Sequence, residues 1–280
     1  MKSGWIAILA WSTCASLSGA ARPSSLHLSR EAYLDRVNAA WLAQVIGMLA
    51  GYQFEHKQGA AVPVDRLPER FRGAPLDHVP LDDDWYYEIV ALRAFEKYGI
   101  GMSVAQLGRQ WVDNRAGFWS TSKAARELLE AGIEAPFSGH PKYNRYWSTI
   151  GAQVSAEIYG LVGPGMPNAA AALGREMGHV QGYAEGADGS AFVAGMVSLA
   201  FSETDPKRLV RRATTLIPPE SPYHQALIEA LELAGKGAPV NAVTAAIQRR
   251  WGPDYQTTNS AVINGAVTAM AVWSGEGDLW

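Results

Sequence analysis

The chain has 280 residues, with 24 Lys plus Arg against 27 Asp plus Glu and a formal net charge of −3; 48% of it is apolar and 18% charged. That balance belongs to a folded globular chain with room for one large domain or two small ones, and it argues against the basic footprint of a nucleic-acid binder. A single cysteine, Cys14, excludes a disulfide framework and a thiolate zinc site, and none of the six histidines forms a tight ligand pair on one helix, so any metal has to be a hard cation held by oxygen.

Lys2 precedes an apolar stretch from Trp5 to Leu17, and Ser18-Gly19-Ala20-Ala21 follows. A positive start, a short apolar run and a small-residue site make the pattern of a secretory signal peptide over residues 1–21, cleaved after Ala20 or Ala21. Export to a periplasmic or extracellular location is therefore expected. The run is too short and too interrupted for a membrane span, so no stable membrane insertion is expected. Trp11-Ser12-Thr13 is a poor context for a lipid anchor at Cys14. The alternative reading is a plain N-terminal core helix.

The rest reads as helix. Leu34, Val37, Trp41, Val45 and Met48 recur at three or four between Ser29 and Leu49, with Ser29 as N-cap and Gly51 as a stop. A polar, Pro-containing loop over 53–80 follows. The next helix runs from Asp84 to Tyr98 and stops at Gly99. Ser103-Val104-Ala105-Gln106 is a capping box. Ser122 to Ala131 is helical up to Gly132. Residues 136–165 read as irregular and aromatic-rich. Helices resume over Pro167–Met177 and Ser190–Phe201. Asp205-Pro206 and Ser221-Pro222 put a capping residue before a proline at the first helical position and start helices to about Ile217 and Ala234. Val240–Trp251 and Thr258–Trp273 complete the set. No period-2 strand or hairpin turn is evident. The expected architecture is all-α: one compact multi-helix domain of about ten helices.

Leu81-Asp82-Asp83-Asp84-Trp85-Tyr86-Tyr87-Glu88 is the most informative segment. Three consecutive carboxylates repel one another unless helix N–H groups or a cation neutralise them, and oxygen donors suit Mg²⁺ or Ca²⁺. An ordinary acidic N-terminus is the competing explanation, because acids in a first turn complement the helix dipole.

Several segments together resemble the ADP-ribosylglycohydrolase family, relatives of the dinitrogenase-reductase-activating glycohydrolase. Asp35 to Gly47 is similar to the family's opening helix. Gly47-Met48-Leu49-Ala50-Gly51, followed by Glu55, resembles its Gly-Asp-x-x-Gly element. Asp82-Asp83-Asp84 resembles the Thr/Ser-Asp-Asp metal motif, with Asp82 in place of the hydroxyl. His179-Val180-Gln181-Gly182-Tyr183 resembles a His-bearing segment lining the nucleotide side of the cleft, and Gly275-Glu276-Gly277-Asp278 resembles the end of a late conserved helix. The resemblance covers about residues 30–280.

It implies an all-α ADP-ribosylglycohydrolase-like hydrolase with a pair of Mg²⁺ or other divalent ions. Such an enzyme cuts an ADP-ribosyl or related glycosidic bond at the ribose anomeric carbon. It further implies Asp82, Asp83, Asp84 and Glu55 as metal ligands, with Glu55, Asp83 and Asp84 catalytic. His179, Tyr183 and Gly151 would contact a small-molecule or glycosyl-conjugate substrate. The glycines of Gly182-Tyr183-Ala184-Glu185-Gly186-Ala187-Asp188-Gly189 read as loop and close-approach positions.

Three departures stand against this pattern. Met48 occupies a position where relatives often carry Asp. Thr149-Ile150-Gly151-Ala152-Gln153-Val154 replaces a Gly-Asn-Gly loop. The family's second metal motif, Asp-x-Asp, is expected some twenty residues beyond Asp278, whereas the sequence stops at Leu279-Trp280. The expectation is a hydrolase domain lacking its last helices. The alternative is a non-catalytic sugar or nucleotide binder with an incomplete metal site.

Overall fold

A computed structural model of the chain describes residues 25–52, 83–114, 119–256, 259–275 and 277. The expected signal peptide and the loop after the first helix lie outside them. Among the described residues the regular elements are helical, and the one β contact is an isolated bridge between Thr149 and Ser260.

Helix α1 is Arg30–Tyr52, α2 Asp83–Tyr98, α3 Val104–Asp113 and α4 Ser120–Glu130. Two 3₁₀ turns, Phe137–Gly139 and Ile150–Ala152, lead to α5 (Glu157–Leu161), α6 (Pro167–Gly178) and α7 (Glu185–Ala200). Then come α8 (Pro206–Thr214), α9 (Pro222–Gly235), α10 (Val240–Trp251) and α11 (Ala261–Ser274). The punctuation is local chemistry. Ser103 accepts from the Gln106 amide while the Gln106 side chain accepts from the Ser103 amide. Asp205 caps the amides of Lys207 and Arg208 ahead of Pro206, and Ser221 caps Tyr223 ahead of Pro222. Gly99 and Gly132 take φ of +78° and +86°, which ends α2 and α4 with no Cβ penalty.

Helix α7 is the axis of the molecule. All of its residues except Val197 and Ala200 are buried, as befits a helix that is apolar or small on every side. Its neighbours approach through glycine. A Cβ on Gly174 of α6 would lie 2.7 Å from the Ala194 Cβ, and one on Gly160 of α5 would lie 2.5 Å from the Ala194 carbonyl oxygen. The Ser190 hydroxyl donates to the Gly174 carbonyl at 2.6 Å and ties α7 to α6. On the other side α9, α10 and α11 pack together, and Tyr223 is fully enclosed against Gly265. One continuous apolar core runs from Tyr87 on α2 to Trp273 on α11.

Helix α1 is different, since none of its described side chains is fully buried. It is held by Tyr33, whose hydroxyl donates to the Leu161 carbonyl and whose ring stacks on Phe201 at 6.0 Å, and by Trp41, edge-on to Trp85 at 5.7 Å.

The all-α expectation holds, with three local differences. Helix α1 runs through Gly51 to Tyr52. Helix α7 begins at Glu185, ahead of the expected Ser190, so Gly186 and Gly189 are helical rather than loop positions. Both still serve close approach: a Cβ on Gly186 would sit 2.3 Å from the Trp147 carbonyl oxygen. The aromatic stretch expected to be irregular contains the five-residue helix α5.

Candidate active site at the start of the second helix

Asp83 and Asp84 are the first two residues of α2, where the unpaired amides and the helix dipole favour negative charge. Both are half-buried. One turn further on, Tyr87 is 2% exposed, and its hydroxyl donates to Oδ2 of Asp83. Its ring stacks on Trp111 of α3, with centroids 5.2 Å apart and planes 9° from parallel. Burial, and then the charge of Asp83, push the Tyr87 phenol far above its ordinary range, so it is a permanent donor. Trp85 follows the acid pair in sequence; its indole Nε1 is buried and has no acceptor. Met48 is half-buried on α1.

A chain of polar side chains leads inward from this turn. The Ser122 hydroxyl on α4 is within hydrogen-bonding reach of the Tyr87 oxygen and donates to Oε1 of Gln181. Gln181, 1% exposed, donates through Nε2 to the Gly151 carbonyl at 2.8 Å and to Ser155 Oγ at 3.1 Å. The Thr121 hydroxyl donates to the Gln181 carbonyl at 2.6 Å. The start of α2, the 150–152 turn and the 179–183 segment are thereby joined through one buried polar layer. Sequence reasoning missed Tyr87, Ser122 and Gln181. The available signal was Gln181 itself, an amide between two glycines in a mostly apolar stretch.

The structure places the remaining expected residues as follows. Gly151 is buried and has no open space: a Cβ there would lie 2.3 Å from Thr121 Cγ2 and 2.5 Å from Gln181 Oε1. Its geometry is that of a packing position. His179 caps the end of α6, and its ring is 5.0 Å from that of Tyr183, which in turn meets His140 edge-on at 4.7 Å. His179 also lines an open cleft of about 380 Å³ with Asn168, Ala172, Arg175, Glu176 and Leu216. Burial, and then the Arg175 charge, hold the imidazole below its ordinary pKa. Arg175 itself is paired with the buried Asp188, which also accepts from the Ser221 hydroxyl. Asp82, Glu55, Glu276 and Asp278 lie outside the described residues. Among the described residues no group of three or more His, Cys, Asp or Glu is placed to hold a metal ion, and no helix is long and apolar enough to cross a membrane.

The class defined by these features is an all-α domain that presents two adjacent carboxylates at a helix start, backed by a buried polar layer. The family model described as ADP-ribosylglycohydrolase matches residues 29–279, and the chain belongs to that family. It is accordingly a glycohydrolase-type hydrolase domain in general character. No curated protein and no solved structure matches it.

Proposed function

We propose that the protein is a metal-dependent glycohydrolase that cleaves an ADP-ribosyl or related glycosidic bond in a small-molecule or glycosyl-conjugate substrate. The observation that carries this reading is the half-buried Asp83–Asp84 pair at the start of α2, in a chain matched to the family over 29–279. The donor chemistry fits a hard cation, because both groups are carboxylates. Asp83 and Asp84 would hold the ion, Mg²⁺ foremost, together with Asp82 and Glu55, which the family resemblance adds. A bound divalent ion supplies the charge that orients ribose hydroxyls or a water near the anomeric carbon.

The chain's own groups do the rest. Tyr87 fixes the Asp83 carboxylate by giving it a hydrogen bond and stays protonated throughout the working pH range. His179 is neutral near pH 7, and with Tyr183 it presents ring faces on which a sugar or base can stack. Glu55, by resemblance, takes a proton from the attacking water.

The test is release of free ADP-ribose or ribose from a panel of ADP-ribosyl conjugates and simple ribosides. Hydrolysis that requires Mg²⁺, stops with chelator and disappears in Asp83→Ala plus Asp84→Ala supports the reading. Turnover unchanged in that double variant sinks it.

A further inference from the structure

A second acid pair lies deeper, between this helix and α5, outside the chemistry described above. Glu88 sits one turn beyond Asp84 on α2 and is 1% exposed. Its Oε1 accepts from the Ile158 amide of α5 at 3.2 Å. Its carboxyl group faces that of Glu157, the first residue of α5, within hydrogen-bonding reach. Oε2 of Glu157 is shut off from solvent and has no hydrogen-bond partner. Two carboxylates cannot occupy such a place together, since each would be desolvated and would repel the other.

Among the described residues no cation acts on this pair. The groups acting on the pair are each other, the backbone amides at 156–158 and the neighbouring Tyr159 phenol. The cations that α2, α3 and α6 carry are engaged elsewhere. Arg109 and Asp113 on α3 pair with Glu134 and Lys97, and Arg175 on α6 pairs with Asp188 on α7. Glu185 on α7 accepts from Tyr255. On α2 itself Asp83 is bonded by Tyr87, and Arg93 donates to Asn114.

We propose that Glu88 and Glu157 hold one proton between them, and that this proton latches α5 to α2 as a pH-operated clamp built into the fold. Glu88 carries the proton and donates it to Glu157, which gives the buried Glu157 oxygen the donor it otherwise lacks. Glu88's other oxygen keeps the Ile158 amide. Burial raises both groups above the ordinary glutamate value; the charge of Glu157 raises Glu88 further, while the hydrogen bond from Glu88 works the other way on Glu157. The sign follows from linkage. Groups bound to a proton more tightly in the folded state stabilise it fully below the unfolded value of about 4.5, and that stability drains away as pH rises through the raised folded values. The clamp holds at acid pH and loosens as pH rises through the raised values, where α5 is pushed from α2 behind the Asp83–Asp84 turn.

The experiment needs neither substrate nor metal. Urea unfolding midpoints of the full chain are measured from about pH 5 to about pH 9 for the wild type, E88Q and E88Q/E157Q. A glutamine at 88 supplies a permanent donor to Glu157 and an acceptor for Ile158. The wild-type midpoint is expected to fall toward alkaline pH more steeply than that of E88Q, and the double variant is expected to be the flattest. Parallel profiles for all three, displaced or not, would overturn the proposal, because a merely structural role shifts every pH alike. Should the variants fail to fold, infrared spectroscopy of the wild type decides. A protonated-carboxyl C=O band that persists at pH 7 and bleaches in alkali supports the shared proton; a spectrum with only ionised carboxylates at pH 7 refutes it.

Discussion

Tyr87 gives its hydroxyl to Asp83 and its ring to Trp111, so Tyr87→Phe separates the two contributions. The stack survives and the bond to the carboxylate is lost. Stability should drop by about 1–3 kcal/mol, the range for a hydrogen bond to a charged group, as read from urea unfolding. Tyr87→Ala should cost at least about 1 kcal/mol more, because the ring leaves a cavity beneath α3. Gly151 makes a sharper demand. With Thr121 Cγ2 and Gln181 Oε1 at 2.3 and 2.5 Å from where a Cβ would stand, Gly151→Ala has to displace the Gln181 amide from its bonds. A loss of about 1–3 kcal/mol is expected in the same assay, typical of overpacking. The acid pair was legible in the sequence because three consecutive aspartates repel one another and call for neutralisation. Gly151 was legible only by resemblance, and its surroundings point to packing, since the residues that crowd it, Thr121 and Gln181, are 30 positions away in the chain on either side.

Three helix starts were legible from the side chain that caps them. Ser103, Asp205 and Ser221 each mark a start, and the structure begins α3, α8 and α9 directly after them. Ser103→Ala should therefore destabilise the chain by about 1 kcal/mol, since it removes one arm of a reciprocal capping box. A change in denaturation midpoint too small to measure would contradict that. Helix α7 shows where local signals fail. Its start has no side-chain cap, because Ala184 enters it with a φ of +40°. Its glycines are there so that the 147–153 segment, Tyr223 and Leu216 can approach, a tertiary reason invisible in a window of neighbours. Helix α5 was missed for a similar cause. It has only five residues, and the Ile158 amide in its first turn is satisfied by Glu88 from a distant helix.

At the scale of the whole molecule, the all-α class followed from the 3.6-residue periodicity and the absence of alternating patterns, and one apolar core confirms it. What periodicity cannot reveal is the polar layer that joins the start of α2 to the 150–152 turn and the 179–183 segment, because hydrogen-bond partners distant in sequence leave no local trace. His179 links that region to solution conditions. Its folded pKa is depressed, so protonation is resisted in the native state. Stability tied to it is present above the unfolded value of about 6.5 and is lost as pH falls below that value toward the depressed one. His179→Gln should flatten the acid limb of the stability profile, measured by thermal unfolding between about pH 7 and about pH 5. The proposed export is checked separately: if residues 1–21 are a cleaved signal, N-terminal sequencing of the mature protein should begin at Ala21 or Arg22.

The central claim is that Asp83 and Asp84 form the core of a divalent-cation site. Calorimetric titration of Mg²⁺ into the purified chain and into its Asp83→Ala plus Asp84→Ala variant tests it most directly. The account predicts saturable binding to the wild type and none to the folded variant; equal binding by both, or no binding to the wild type, contradicts it.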